Sequence, residues 1–127
     1  MFLGTISNWT SVVGSDVPFA TKINSNNKIT NNGGVLSLNK VGYWNIDVNL
    51  VVSGAVGDVT ATLYEDGVAS PTAFSTITLA SGGTGTLNIP DAVRTTFAEF
   101  PQFGTISVRF SQPNVIANGQ IRVEYVQ

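Results

Sequence analysis

The chain has 127 residues, enough for one domain, with 11% charged residues, a net charge of −2 and neither histidine nor cysteine. Without those two residue types there can be no disulfide, no thiolate chemistry, no imidazole base and none of the usual zinc ligand sets. The basic residues Lys22, Lys28, Lys40, Arg94, Arg109 and Arg122 are scattered, so no basic stripe tracks a phosphate backbone and no nucleic acid is expected as a partner.

The charged fraction lies far below the ~25% of an ordinary soluble protein. A chain so poor in charge either covers itself with Ser, Thr, Asn and Gly or hides surface against partners. Met1-Phe2-Leu3-Gly4-Thr5 has no basic region and no long apolar run. This predicts no signal peptide and no membrane insertion, and places the protein in a cytoplasm or in a particle assembled there.

In chain order, residues 1–17 carry Phe2, Leu3, Ile6, Trp9, Val12 and Val13 without clear alternation. They read as an N-terminal arm, on a neighbouring subunit or on its own domain, or as a first strand. The remaining residues, 18–127, read as one domain. Pro18-Phe19-Ala20-Thr21 opens a short strand. Asn24 to Asn27 and Asn31 to Gly34 are turns by composition. Val35, Leu36 and Leu38 form a short strand that runs into Gly42, where the backbone can turn sharply.

From Tyr43 to Val52 the alternation is clean. Trp44, Ile46, Val48, Leu50 and Val52 fall on one face, and Asn45, Asp47 and Asn49 on the other. Gly54 to Asp58 turns the chain. Val59 to Tyr64 alternates again and ends in Asp66-Gly67, a tight-turn pair. Phe74 to Ala80 is a strand, Gly82 to Gly85 a turn, and Thr86 to Ile89 a strand that Pro90 should stop. Asp91 to Gln102 reads as a crossing loop or a short helical turn. Thr105 to Phe110 is a strand, Ser111 to Asn114 breaks it, and Gly119 leads into a final strand. There Ile121, Val123 and Tyr125 alternate with Arg122, Glu124 and Val126. With about eight to ten short strands, evenly spaced turns and no amphipathic helix, the pattern predicts an all-β antiparallel sandwich or barrel.

Leu36, Gly42, Trp44, Ile46 and Val48 keep the spacing of a known signature: an aromatic, five residues, glycine, then tyrosine, phenylalanine and an aromatic at every second position. Aliphatic residues stand at its first, fourth and fifth places. Pro18-Phe19-Ala20 is similar to the opening strand of the same family. Leu63 to Gly67 is similar to its hairpin, and Gly119 to Val126 to its last strand. On these residues the chain resembles the C1q/TNF-like jelly-roll superfamily. Its richness in Ser, Thr, Asn and Gly also resembles small structural proteins of bacteriophages and prophages. No Gly-X-Y stalk is present.

The resemblance implies a two-sheet antiparallel jelly roll and a homotrimer in which one sheet of each subunit faces the three-fold axis. It puts Trp44, Ile46, Val48 and Leu50 in the core. Tyr43, Asn45, Asp47, Asn49, Val51, Arg122, Glu124 and Val126 would then lie at the trimer interface, with an Asp47–Arg122 pair between subunits as one candidate contact. Without the resemblance, the polar residues of such a strand would be read as a solvated face.

No constellation for catalysis stands out. Glu65-Asp66 reads as a solvated turn, and Asp16, Asp58 and Asp91 as loop acids without the Asp-x-Asp spacing of a calcium loop. Gly82 to Gly85 has no following lysine, so it is no phosphate loop. Trp9, Tyr64 and Phe74 are the aromatics able to stack on sugar. No catalytic residue, metal site or cofactor is expected. The predicted role is a non-enzymatic trimeric structural or display protein of a phage or prophage particle: a head fibre, a tail-fibre tip or a baseplate-associated module contacting other virion proteins. The alternative is a binding module that recognises host-surface glycan or protein through loops 54–58, 82–85 and 91–102.

Overall fold

The computed structural model describes residues 1–25, 28–96 and 104–126. Its longest uninterrupted ladder is centred on β5 (Gly42–Ser53). β5 pairs antiparallel with β10 (Ile116–Val126) from Ser53 to Tyr43 and, on its other side, with β8 (Gly85–Thr95) from Val52 to Gly42. The alternation of the sequence becomes the two faces of this strand. Trp44, Ile46, Val48, Leu50 and Val52 are buried, and Tyr43, Asn45 and Val51 are exposed.

Around it lie β1 (Phe2–Thr10) and β2 (Ala20–Asn24), giving a first sheet in the order β2-β1-β10-β5-β8. The second sheet takes β3 (Ile29–Asn32), β4 (Val35–Leu38), β9 (Thr105–Phe110), β6 (Gly57–Glu65) and β7 (Val68–Leu79), in the order β3-β4-β9-β6-β7. All the pairings are antiparallel. The inward faces of the two sheets enclose one core, with Leu36, Leu50, Leu63, Leu87, Ile106 and Ile121 closed off from water. The fold is thus an all-β, two-sheet antiparallel sandwich of ten strands.

Residues 2–10 are an internal strand, between β2 and β10. Its alternation is hidden in the sequence by a bulge between Ile6 and Trp9, where Asn8 takes a positive φ of 48°. The opening strand of the sandwich is therefore this one, and Phe19, ahead of β2, plugs the core from a loop.

The expectation that Pro90 ends its strand is corrected: β8 continues through it to Thr95, so Asp91–Thr95 is strand and neither loop nor helical turn. β8 is a border strand with a neighbour on one side only, so a residue without an N–H can sit there without breaking the ladder. The rest of that segment, residues 97–102, lies outside the described residues. The Asp66-Gly67 pair does form the hairpin between β6 and β7, both residues taking positive φ (52° and 79°), as a primed two-residue turn requires.

Gly119 shows why a glycine precedes the last strand's apolar run. Its φ is +150°, and a Cβ there would collide with the carbonyl oxygen of Asn49 on the neighbouring strand. Any side chain would force β10 away from β5.

Candidate functional site

The outer face of the first sheet brings all eight residues of the expected interface onto one surface. The register sets Arg122 opposite Asp47, Glu124 opposite Asn45 and Val126 opposite Tyr43, so their side chains leave the same side of the sheet. Asn49 and Val51 continue the row along β5. Three of the eight are large and apolar yet open to solvent: Tyr43 is 55% exposed, Val51 50% and Val126 39%.

Between the apolar positions runs a polar ladder. Asp47 Oδ2 accepts from Asn49 Nδ2 at 3.0 Å, and Asp47 Oδ1 accepts from Asn88 Nδ2 at 3.0 Å. The same Asn88 amide donates to Asn49 Oδ1 at 2.7 Å, which Asn88 faces across the β5–β8 register. Asp47 is thus satisfied inside its own chain by two amides. These bonds hold the carboxylate in one orientation. Asp47 and Asn49 are only half-exposed. Beside them a shallow depression of about 190 Å³ is lined by Asn45, Ile46, Asp47, Arg122 and Glu124. Sequence reasoning missed Asn88 as part of this ladder. Its signal lies only in the register, which no single strand reveals.

The floor beneath this face is rigid. The Trp44 ring meets Tyr125 edge-on at 5.0 Å between centroids, and the Trp44 indole N–H donates to Thr95 Oγ1 at 3.2 Å. Thr95 Oγ1 also accepts from the Gly42 N–H at 3.0 Å and donates to the Lys40 carbonyl. Tyr125 Oη donates to the Val41 carbonyl at 2.7 Å, and Lys40 Nζ sits 4.4 Å from the Tyr125 ring centre. Arg94 extends over Tyr43, 5.7 Å from its ring, on the outer side. The buried tryptophan that anchors β5 therefore fixes the strand whose other side presents Tyr43 and Asn45.

The outer face of the second sheet differs. Thr60 and Thr76 share a hydroxyl hydrogen bond of 2.7 Å, and Thr78 donates to Asp58. Arg109 Nε donates to Asp16 Oδ1 at 2.8 Å, the only ion pair among the described residues, while its guanidinium covers the Tyr64 ring at 4.5 Å. The Asp16 hydrogen bond, ahead of other influences, holds Arg109 above its ordinary range, so it stays charged. Of the aromatics considered for sugar stacking, Tyr64 is covered by Arg109 and Trp9 is half-buried, 6.3 Å from the Phe110 ring; Phe74 is exposed.

Loops 54–58 and 82–85 lie at the same end of the sandwich, since Val52 pairs with Gly85 and Gly57 with Leu79. The β1–β2 loop joins them: Ser11 Oγ donates to the Gln112 carbonyl at 2.7 Å, and Gln112 Nε2 donates to the Val56 carbonyl at 3.0 Å. Val12, Val13 and Val56 are exposed there. The described part of the third loop of the binding expectation, 91–102, does not join them. Its first part is β8, and Thr95 lies at the opposite end, across from Gly42.

Glu65 is not the solvated turn acid that the sequence suggested. Burial, then a hydrogen bond and the charge of Asp91, then the charge of Asp66, push its carboxyl above the usual range. Among the described residues no three acids stand close enough to hold a metal ion. No helix among them is long and apolar enough to cross a membrane.

No protein-family model matches the sequence, and no curated protein matches it. Solved structures do match over nearly the whole chain. Murine APRIL at pH 5.0 superposes with a TM-score of 0.79 at 9% identity, covering 98% of this chain and 98% of that one. The globular domain of zebrafish complement 1qA protein gives 0.77 at 8% identity, covering 99% and 96%. Eiger TNF from S. frugiperda gives 0.77 at 6% identity, covering 99% and 93%. At such identities the likeness is one of fold, and the ten strands with their two-sheet order are those of the C1q/TNF-like jelly roll.

Proposed function

We propose that the chain is a non-enzymatic module that assembles as a homotrimer through the outer face of its first sheet. The observation that carries this reading is the exposure of Tyr43, Val51 and Val126 together on one face, around a pre-ordered Asp47–Asn49–Asn88 ladder. Apolar groups grouped in this way are what an interface buries, and a ladder with its internal bonds already made offers a partner a fixed polar pattern. Arg122 and Glu124, opposite in charge and on the same strand, would set the register of neighbouring copies more than they add stability. The jelly-roll fold supports the reading, since complement 1qA and TNF proteins share it.

Our finer reading is a display or structural module of a phage or prophage particle, assembled in the host cytoplasm and contacting other virion proteins. Its support is compositional, namely 11% charged residues and no cysteine or histidine. Trimer formation is tested by light scattering on the purified chain. A mass of three subunits that persists on dilution is expected, and a stable monomer overturns it. The particle role is tested by the genomic surroundings, where capsid, portal or tail genes are expected on either side of the coding sequence.

A second reading has its own observation. The exposed valines Val12, Val13 and Val56 lie at the same end of the sandwich as the glycine-rich 82–85 turn. Such a tip suits contact with an apolar patch on a host-surface protein better than with a glycan, for which it offers no aromatic platform. Host-cell binding that Val56→Asp abolishes, with assembly unchanged, would favour it.

A further inference from the structure

Two acidic side chains point into the sandwich where the alternation of their strands calls for apolar ones. On β6 the inward positions run Val59, Ala61, Leu63 and then Glu65. On β8 they run Leu87, Ile89 and then Asp91, which the register sets opposite the buried Ile46 of β5. β6 and β8 belong to different sheets, so inward side chains from the two meet across the interior, near the border that β7 and β8 share. Asp91 Oδ2 is shut off from solvent, and no N–H or O–H among the described residues reaches it. Glu65 lies across from Asp91 where β6 and β8 approach each other, near enough for the two carboxyls to interact.

Two ionised carboxylates cannot bond to each other, because both only accept. One proton between them gives a short, charge-assisted O–H···O bond and satisfies the buried oxygen. We propose that Glu65 and Asp91 form a proton-dependent clasp between the two sheets, closed while one proton is shared between them and released as rising pH removes it. The clasp is independent of the assembly proposed above.

Among the described residues, the surroundings hold nothing that would keep both groups ionised. β7 carries no charged residue at all. From β9, Ile106 stands opposite Glu65. From β5, Ile46 stands opposite Asp91, while Asp47 points to the outer face. Arg94 of β8 lies over Tyr43 on that same outer face, and Arg109 of β9 is engaged with Asp16 and Tyr64 on the far side of the second sheet. The remaining neighbour among the described residues is Asp66, another acid, whose charge adds to the effect.

A carboxyl raised in the folded state stabilises that state fully below the ordinary glutamate value, and the contribution is lost as the pH climbs through the raised value. The release has a defined side. Asp66 accepts from the Thr105 N–H at 2.8 Å and donates its own N–H to the Thr105 carbonyl at 2.9 Å, so the hairpin stays pinned to β9. The strand free to move is β8, at the border of the first sheet.

The test is thermal unfolding of the wild type, Glu65→Gln and Asp91→Asn between pH ~3 and ~7.5, a window that starts below the ordinary carboxyl range and ends well above it. An amide in either place donates to the remaining carboxylate at every pH. At the neutral end both variants should melt above the wild type, by about 3–6 °C, and the gap should close at the acid end. Hydrogen exchange should show the β8 amides protected in acid and faster at neutral pH in the wild type alone. Should the variants fold poorly, the side-chain carbonyl of Glu65, followed by NMR in the wild type, must titrate above the ordinary glutamate range. Parallel melting curves at all pH values with an ordinary Glu65 titration overturn the proposal. So does stabilisation of the wild type by calcium at neutral pH that Glu65→Gln removes, since the pair would then be held by a cation instead of a proton.

Discussion

The two outer faces of the sandwich solve the same problem in different ways. On the second sheet, hydroxyls bond to one another and to Asp58, and Arg109 closes over Tyr64. These polar groups find partners beside them, and one large apolar side chain, Phe74 opposite Thr62, stays open on that face. On the first sheet Asp47, Asn49 and Asn88 are also bonded, but Tyr43, Val51 and Val126 remain open around them. Polar satisfaction alone therefore does not separate a surface from an interface. The difference lies in the grouping of three large exposed apolar side chains on one face, with Arg94 extending over one of them, against the single Phe74 on the other.

Three kinds of substitution break or sharpen this contrast. The largest effect belongs to Trp44→Ala, which removes the floor under the first face, including the Tyr125 contact and the bond to Thr95. It should cost about 3–5 kcal/mol in chemical denaturation, and more of the sheet should be lost than the outer face alone. Next, Tyr43→Glu should weaken assembly by roughly 30-fold, the scale of one buried aromatic contact at an interface. Thr62→Glu, at a matching position on the second sheet, should leave the mass in light scattering unchanged. If the two behave alike, the contrast between the faces has no bearing on assembly. The smallest effect is Asp47→Ala, which leaves the Asn88 and Asn49 amides to re-pair and should cost about 1–2 kcal/mol in the same denaturation measurement, against a few tenths for Thr76→Ser on the hydroxyl face.

β5 was legible because strict alternation over ten residues has few readings, and the Asp66-Gly67 hairpin because few residue pairs accept two positive φ values in succession. β1 was hidden, since the bulge at Asn8 shifts the inward face midway and the alternation cancels. The second half of β8 was hidden for a different reason. A proline reads as a stop, and only the strand's place at the border makes it harmless. Glu65 and Asp91 escaped notice because one was read into the hairpin turn and the other into a loop after Pro90, and nothing local shows that their positions continue an inward row. The Asp47–Asn88 contact needed the β5–β8 register, a property of two strands far apart in the chain. The residues of the expected interface were legible as a set because they lie on the two strands with the cleanest alternation.

Pro90 has one more consequence. β7, the border of the second sheet, also carries a proline, Pro71, so the two strands on that flank each present a gap in their row of donors. A foreign strand laid along either would find no N–H at that point, and its ladder would stop there. Growth by sheet extension, the route to fibres, is thereby discouraged at the flank where the long β7 and β8 would otherwise offer an extended template. For a chain with this little charge to repel its own copies, such an interruption counts for more than it would on a highly charged surface.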